Sequence, residues 1–280
     1  MKPVWLIEAD VFREASEPLK NEIRRQGMTC HVVVHRPAAA PPNDLVGAAE
    51  IPADAPVIFR GSHPLMRHIQ LTRRWSPGGW CHFERLACSG YNPHFLRHLL
   101  NEPHLILPVS KALSDPDLLV SRFALDGQVF VRPDGVVKTF TGRVVDREGF
   151  PSALSAARYQ PEAEVLVAEP REIGREWRLV VCDDAIVAAS LYRDAGDIVM
   201  SPGCPRDVHG FATEALAATP WRPDDVFMMD VCESGDNLRI VELNSFSCSG
   251  LYACDLPSVV AAVSDAAMRT NERERQRPSL

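Results

Sequence analysis

The chain has 280 residues, of which 46% are hydrophobic and 24% charged, and its formal net charge is -7. This length and composition are typical of a soluble globular enzyme built as one large domain or as two or three packed subdomains. The negative balance argues against nonspecific nucleic-acid binding, which requires a basic surface, but it leaves room for a local cationic pocket.

The first ten residues contain an apolar run, which Glu8 and Asp10 interrupt, and no small-residue cleavage site follows. A signal peptide is therefore not expected, and no apolar run approaches the ~20 residues that cross a bilayer. These features predict a cytoplasmic protein. The eight cysteines are scattered without a C-x-x-C pair, so free and mostly buried thiols are expected.

The N-terminal segment alternates strand and helix patterns, which predicts a small parallel α/β unit. Strands are expected at 4–7, 29–35 and 56–60, helices at 17–26 and 64–72, and a Pro/Ala-rich loop at 36–43. Ligands of such sheets bind beyond the carboxyl ends of the strands, where Arg60, Gly61 and Ser62 precede a helix. These residues could hold a substrate carboxylate. Alternatively, Arg60 is a solvated strand end and Gly61-Ser62 a plain helix cap.

Several histidines could be mistaken for metal ligands. His94 and His98 have the spacing of one helical face, but no third ligand accompanies them and the H-E-x-x-H arrangement is missing. Surface or packing histidines are therefore expected at both positions. The same expectation applies to His63 and His68.

A helix is expected at 114–125, with Ser114 as its cap, and a cationic hairpin follows it. In the hairpin, VFVRPDGVVKTFTG at 129–142, two β-branched runs flank the turn formers Pro133-Asp134-Gly135. It carries Arg132 and Lys138. Two cations beside a loop with free backbone N–H groups can neutralise a polyphosphate, although such side chains are common on hairpins.

The next segments read as a strand at 164–169, which Pro170 ends, and a hairpin around Asp183-Asp184. This hairpin places Glu176 and Arg178 on one face, where a surface ion pair is the simpler interpretation. A loop at 195–208 and helices at 211–218 and 256–268 are expected to follow. The charged tail at 269–280 is predicted to be disordered.

The most informative stretch is VFMMDVCESGDNLRIVELNSFSCSGLY, at 226–252, where turn formers separate two apolar runs and predict a β-hairpin. If Cys232 lies opposite Leu238, the alternation of side chains places three polar groups on one face: Asp230, Glu242 and Asn244. The other face is then a core of Phe227, Met229, Val231, Val241 and Leu243.

Two carboxylates and an amide oxygen form an oxygen-only set that suits Mg²⁺, and a carboxylate inside an apolar strand is costly unless something neutralises it. The alternative is a polar outer face on an edge hairpin. A register shifted by one residue would divide the set between the two faces.

Taken in order, these pieces resemble the ATP-grasp superfamily over roughly residues 109–265. The resemblance rests on FVRPD with KTFTG, on AEPREIGREWR, on MDV, and on VELNSFSCSGLY. Within the superfamily it points to the R2K clade, in which arginine replaces the first phosphate-binding lysine. It implies an α+β ATP-grasp fold preceded by a small α/β pre-ATP-grasp domain. The implied divisions are an N-terminal domain at 1–108, a small subdomain at 109–168 and a large subdomain with the metal site at 169–268.

The resemblance also implies a role for each matching residue. Arg132 and Lys138 would bind the α- and β-phosphates of ATP, and Arg178 would face the γ-phosphate or an acyl phosphate. One or two Mg²⁺ ions, which Mn²⁺ could replace, would be held by Asp230, Glu242 and Asn244. The covering loop would include Thr141 and Gly142, the hinge Glu169, the adenine contacts Pro170 and Glu172, and the ribose contact Glu176. Substrate contacts are expected at Arg60, Gly61, Ser62, Arg193, Ser249 and Gly250.

The function implied is an ATP-dependent carboxylate–amine ligase that forms an acyl phosphate and releases ADP and phosphate. Its partners would be ATP, a small-molecule carboxylate and an amine, without nucleic acid or membrane, in a monomer or homodimer. An ATP-grasp phosphotransferase and a noncatalytic nucleotide-binding module are the alternatives. A metal-dependent nuclease would require a lysine where this chain has Asn244, and a basic surface as well.

Overall fold

The computed structural model of the chain describes residues 2–36, 45–157 and 159–276. The first of its three sheets has the strand order β3-β2-β1-β4-β5. Its strands are β1 (Val4–Glu8), β2 (Thr29–His35), β3 (Leu45–Val46), β4 (Pro56–Arg60) and β5 (Ser76–Gly78). Strands β2, β1, β4 and β5 pair in parallel, so the predicted parallel unit is confirmed. Of the predicted loop at 36–43, residues 37–43 lie outside the described ranges.

Helices cover both faces of this sheet, as a parallel sheet requires. Side chains that alternate along β1 and β4 point to opposite faces and enter separate apolar clusters. Helix α1 (Arg13–Arg25) and the C-terminal helix α8 (Leu256–Arg275) cover one face. Helix α2 (His63–Thr72) covers the other.

The second sheet has the order β6-β9-β7-β8 and is antiparallel. Its strands are β6 (His104–Pro108), β7 (Gln128–Pro133), β8 (Arg143–Asp146) and β9 (Glu164–Ala168). Three helices share its apolar cluster: α4 (Val109–Ser114), α5 (Pro116–Phe123) and α6 (Phe150–Ala153). The helix predicted at 114–125 corresponds to α5, which is shorter at both ends, but the predicted cap Ser114 is wrong. Asp115 separates α4 from α5 and caps α5 by accepting a 3.1 Å bond from the Leu118 N–H.

The cationic hairpin differs from its prediction. The predicted second strand within 136–142 is absent from the described residues: β7 pairs instead with β8, which begins at Arg143, and the connection runs over residues 134–142 instead of turning at Pro133-Asp134-Gly135. The reason lies in the neighbouring strand β9. Pro133 is still paired with Val165, and the Asp134 N–H donates to the Glu164 carbonyl, so the chain cannot reverse there. Lys138 consequently stands in a loop.

The third sheet has the order β12-β11-β10-β13-β14. Its strands are β10 (Glu176–Cys182), β11 (Ala185–Asp194), β12 (Asp197–Pro202), β13 (Val226–Ser234) and β14 (Asn237–Ser245). The turn between β10 and β11 is where it was predicted, and Asp183 and Asp184 both have positive φ, 46° and 69°, as a type I′ turn requires. Strand β12 replaces part of the predicted loop. Helix α7 (Arg206–Ala217) packs on one face and α8 on the other.

Helix α8 extends seven residues beyond its predicted end at 268, so the prediction of disorder is wrong for 269–275. Ion pairs hold these last turns to the rest of the fold. Arg269 contacts Asp183, Arg273 contacts Asp225, and Arg275 lies 3.0 Å from Asp54. Residues 277–280 lie outside the described ranges.

The remaining expectations about the whole chain concern cysteines and membrane spans. All eight cysteines are free thiols and five of them are buried, as predicted. In sequence order, helix α3 (Cys88–Phe95) follows the last strand of the first sheet and precedes the first strand of the second. In the described ranges, none of the helices combines the length and apolar character that crossing a bilayer requires.

Candidate active site

The β13–β14 hairpin presents its three polar side chains on one face, as predicted. Asp230 lies opposite Glu242, and Met228 lies opposite Asn244. The predicted register is nevertheless wrong, because Cys232 lies opposite Arg239. A bulge at Val241 absorbs the difference and restores the alternation before Glu242. The core position expected for Val241 is filled by Ile240, which is fully buried.

Asp230 is held by an arginine from the adjacent strand. Arg178 on β10 stands directly opposite Asp230 on β13. Its Nε and Nη2 donate to Asp230 Oδ1 and Oδ2 at 2.8 and 2.6 Å, which is a bidentate charge-assisted pair. The Asn244 amide links this pair to the other carboxylate, since its Nδ2 lies 3.0 Å from Asp230 Oδ2 and 2.8 Å from Glu242 Oε1.

Glu242 receives two cations from the second sheet. Lys138 Nζ donates to Glu242 Oε1 and Oε2 at 3.0 and 2.8 Å, and Arg132 Nη2 donates to Oε2 at 2.7 Å. Arg132 is buried and extends from β7, whereas Lys138 extends from the following loop and is partly exposed. The cationic segment and the acidic hairpin therefore meet although about a hundred residues separate them.

The charges in this cluster determine its protonation. Burial raises the pKa of Asp230, and the adjacent Arg178 opposes that rise only in part. Burial acts on Glu242 in the same sense, but the charges of Arg132 and Lys138 outweigh it and hold the pKa of Glu242 below its ordinary value. Burial alone would lower the pKa of Arg178, yet the charge of Asp230 keeps it above its usual range. The cluster is thus a set of mutually neutralising charges.

The donor chemistry of this set fits Mg²⁺. Asp230, Glu242 and Asn244 supply carboxylate and amide groups, and hydrogen bonds of 3.0 Å or less join the three. A hard cation takes oxygen ligands, and the Asn244 amide presents its oxygen to the same space when its plane is reversed.

Two tyrosines form an aromatic shelf beside this cluster, and the sequence reasoning missed both. The rings of Tyr192 and Tyr252 stack with centroids 4.9 Å apart, and the Arg178 guanidinium lies 4.9 Å from the Tyr252 centroid. The Tyr192 hydroxyl donates to Glu176 Oε2 at 2.7 Å. A bulge in β11 makes that bond possible because Tyr192 is its extra residue. Burial raises the pKa of Glu176.

Arg60 lies at the end of β4. It is 2% exposed and donates to the backbone carbonyls of Phe246 at 2.6 Å and Ser249 at 2.5 Å. The alternative of a solvated strand end is therefore wrong, because Arg60 is buried and fixes the loop after β14. Its contact with a substrate carboxylate stays a prediction. Burial lowers its pKa to about 10.

The backbone N–H at the start of α2, where an anionic substrate group was expected to bind, is occupied by the side chain of Glu8. Glu8 Oε2, at the end of β1, accepts the Ser62 N–H at 2.6 Å. Ser62 also caps α2 through a 3.4 Å bond from the Leu65 N–H, so Gly61-Ser62 matches the plain-cap alternative. A carboxylate at the carboxyl end of a parallel strand was the signal that could have identified Glu8.

The other predicted positions lie around the cluster. Arg193 Nε is 3.6 Å from Glu176, and the Gly250 carbonyl accepts a 3.2 Å bond from Arg178. Glu169 pairs with Arg171 at 3.0 Å. Gly142 packs against Arg132, since a Cβ there would lie 3.3 Å from the Arg132 Cβ. Among the hydrogen bonds and ion pairs of the described residues, none joins Asp230, Glu242 or Asn244 to Glu169, Pro170, Glu172, Thr141 or Gly142. His94 stacks on Trp221 and His98 packs against Phe211, as packing histidines should.

The family follows from comparison with known sequences. The profile of the ATP-grasp domain of R2K clade family 2 matches residues 115–262, which is more than half of the chain. The chain therefore belongs to the ATP-grasp superfamily. Within it, the chain belongs to family 2 of the R2K clade, so the predicted family is confirmed. Among curated proteins there is no significant match.

Solved structures confirm the fold. The D-cycloserine synthetase DcsG is 15% identical, with a TM-score of 0.61 over 98% of this chain and 100% of that one. The D-alanine–D-alanine ligase from Bacillus anthracis is 12% identical, with a TM-score of 0.60 over 99% of each chain. The ATP-grasp ligase PsnB, complexed with a phosphomimetic variant of its minimal precursor, Mg and ADP, is 13% identical, with a TM-score of 0.55 over 97% of this chain and 98% of that one.

Proposed function

We propose that this chain is an ATP-dependent carboxylate–amine ligase that works through an acyl phosphate and releases ADP and phosphate. Membership of the ATP-grasp family makes it an enzyme of the ligase type. One observation supports the site: Arg132 and Lys138 converge on Glu242, in the hairpin that also carries Asp230 and Asn244.

We place ATP between the second and third sheets, with its triphosphate over this cluster. Arg132 and Lys138 would exchange Glu242 for phosphate oxygens, because a phosphate chain offers them more negative charge than one carboxylate does. Asp230, Glu242 and Asn244 would then hold Mg²⁺, which supplies positive charge to the phosphoryl oxygens when bound. Glu176 would contact the ribose, and the hinge after β9 the adenine.

The residues of the site lower the barrier by position and charge. A carboxylate that attacks the γ-phosphate brings two anions together, and fixed cations reduce their repulsion. Arg178 is suited to this task because Asp230 and the stacked tyrosines hold its guanidinium in place. An amine then displaces phosphate from the acyl phosphate. Exclusion of water by closure of the two sheets would protect that intermediate.

The test is ADP release measured against amino acids and other carboxylates, alone and with amines. A ligase requires a carboxylate and an amine together for sustained ADP release, and the product is an amide. Glu242→Gln should abolish this release, whereas the exposed control Glu162→Gln should not change it. Phosphorylation of a hydroxyl compound without an amine would establish a phosphotransferase and contradict the proposal.

A further inference from the structure

One histidine and two cysteines, none of which belongs to the Asp230–Glu242–Asn244 set, lie close together in the described part of the chain. His63 begins α2, Cys81 follows β5, and Cys248 follows β14. One histidine nitrogen and the two sulfurs all lie within 4.8 Å of one another. Three segments that are remote in sequence therefore place one imidazole and two thiols around a common point.

Hydrogen bonds join these three segments independently of any ligand. Ser245 Oγ donates to the Trp80 carbonyl at 2.7 Å, and the Trp80 N–H donates to Ser247 Oγ at 2.9 Å, so the residues before Cys81 and Cys248 are joined directly. The Gly61 N–H donates to the Ser247 carbonyl at 2.9 Å, which attaches the start of α2 to the same loop. The positions of the three potential ligands are thus set in advance.

The packing between these segments is close enough to exclude a side chain. Gly79 has a φ of 153°, and a Cβ at that position would lie 2.7 Å from Met66 Sδ and 2.8 Å from Ser247 Oγ. Both contacts are shorter than real Cβ contacts. This close approach brings Cys81 up to the loop that carries Cys248.

The ligand types select the class of cation. Two sulfurs and one imidazole nitrogen suit thiophilic cations such as Zn²⁺, whereas Mg²⁺ prefers the oxygen ligands of the Asp230 cluster. Tetrahedral Zn²⁺ with bonds of about 2.3 Å to sulfur and about 2.0 Å to nitrogen places its ligand atoms roughly 3.5–3.8 Å apart. The three ligand atoms now lie up to 4.8 Å apart. They would have to approach one another by about 1 Å, which χ rotations of His63 and Cys248 can provide.

Access and charge are also suitable. Cys81 is fully buried, while His63 and Cys248 are partly exposed, so a cation can enter from the side of these two residues. The hydrogen bond between the two thiols lowers the pKa of Cys248 and raises that of Cys81, so a cation that binds both sulfurs must displace the Cys81 proton.

We propose that His63, Cys81 and Cys248 bind one thiophilic divalent cation such as Zn²⁺, and that a water molecule occupies its fourth coordination position. The bound cation connects the start of α2 to the loop after β14, and it stabilises both. This site is separate from the oxygen ligands Asp230, Glu242 and Asn244, so it does not depend on the ligase proposal.

The experiment is titration of the reduced full-length chain with Co²⁺ in an oxygen-free buffer containing excess Mg²⁺. Co²⁺ at this site should give a thiolate charge-transfer band and the strong visible absorption of tetrahedral coordination, at one equivalent per chain. Zn²⁺ should displace it. Co²⁺ at an oxygen-only site gives no thiolate band, so the two sites are distinguished by spectrum.

Matched variants identify the ligands. Cys81→Ser and Cys248→Ser should remove the charge-transfer band, and His63→Asn should weaken Co²⁺ binding by about tenfold or more, since even outer-shell changes typically cost that much. The controls are Cys204→Ser, at a partly exposed thiol before α7, and His209→Asn, on α7; both should retain the band. Circular dichroism of each variant establishes that it is folded.

Three results would overturn the proposal. One is the lack of a thiolate band in the wild-type chain. Another is a band that persists in folded Cys81→Ser and Cys248→Ser. The third is a Cys81–Cys248 disulfide that resists reduction under the conditions of the titration, because the thiols would then be unavailable to a metal.

Discussion

The central ion pair is buried and therefore has consequences for stability as well as for chemistry. Asp230 is 1% exposed and Arg178 is 7% exposed. Removing one partner of such a pair leaves an uncompensated buried charge, which costs more than the pair itself contributes. A neutral substitution at Asp230 is consequently expected to lower the stability of the fold, whatever it does to catalysis.

Asp230→Asn should lower the free energy of unfolding by about 3–5 kcal/mol, because the Arg178 guanidinium loses its counter-charge. Urea denaturation of the wild type and the variant measures the difference. The matched control is Asp236→Asn, in the exposed turn of the same hairpin, which should change stability little. Adding Arg178→Met to Asp230→Asn should recover part of the loss. Equal stability of Asp230→Asn and Asp236→Asn would contradict this reading of the pair.

Asp224 lies just before β13, where its Oδ2 accepts the His82 N–H at 2.9 Å, and it should make stability depend on pH. Burial raises its pKa to about 7. The native state therefore binds the proton more tightly than the unfolded chain, whose aspartates titrate near about 3.9, and stability falls as pH rises between these values. Asp224→Asn removes this titration. At pH 8 it should be more stable than the wild type by about 2–4 kcal/mol, discounted for partial exposure, and near pH 4 the difference should be small. Thermal unfolding from pH 4 to pH 8 measures it, and a constant difference would refute the assignment.

At the scale of the element, alternation predicted which side chains share a face but not the register that brings them there. Asp230, Glu242 and Asn244 do lie together, as the pattern of the hairpin required. The bulge at Val241 was not predictable, because one extra residue leaves the apolar composition of the strand unchanged. The loop that carries Lys138 was misplaced for a related reason. Pro133 and Asp134 are turn formers, but pairing with β9 overrides that preference.

Two helical glycines provide a prediction at this scale. A Cβ at Gly90 in α3 would lie 2.2 Å from the Glu84 carbonyl oxygen, whereas Gly210 in α7 has nothing within 4 Å. Gly90→Ala should destabilise the fold by about 1–3 kcal/mol through overpacking. Gly210→Ala should stabilise it by about 0.5–1 kcal/mol through helix propensity. Urea denaturation of both variants checks the pair, and the same sign for both changes would contradict the packing described for α3.

Across the whole molecule, the order of motifs predicted the family and the fold, but not the contacts that assemble the site. Strand and helix patterns identified the parallel sheet, and motifs such as FVRPD and VELNS identified the family. The engagement of Arg60 with two carbonyls, and of Glu8 with the start of α2, depends on how the first sheet meets the loop after β14. A local sequence pattern contains no information about how the first sheet contacts that loop. The stacking of Tyr192 and Tyr252 beside Arg178 likewise depends on contacts between segments that are remote in sequence.

The second and third sheets bring polar side chains together around Glu242 and Asp230, and the proposed function rests on this convergence. It predicts that a triphosphate with Mg²⁺ binds where Arg132 and Lys138 now meet Glu242. Lys138 is the most suitable residue to change, because it is partly exposed and supports little of the core.

The most direct measurement is calorimetric titration of the wild type, Lys138→Ala and Lys111→Ala with AMPPNP in the presence of Mg²⁺. Lys111→Ala is the matched control, since that lysine is exposed on α4. The wild type should bind one nucleotide per chain. The affinity should be about tenfold or more weaker in Lys138→Ala, which loses a charge-assisted bond, and unchanged in Lys111→Ala. Equal affinity of Lys138→Ala and the wild type, or no nucleotide binding by the wild type, would contradict the proposed function.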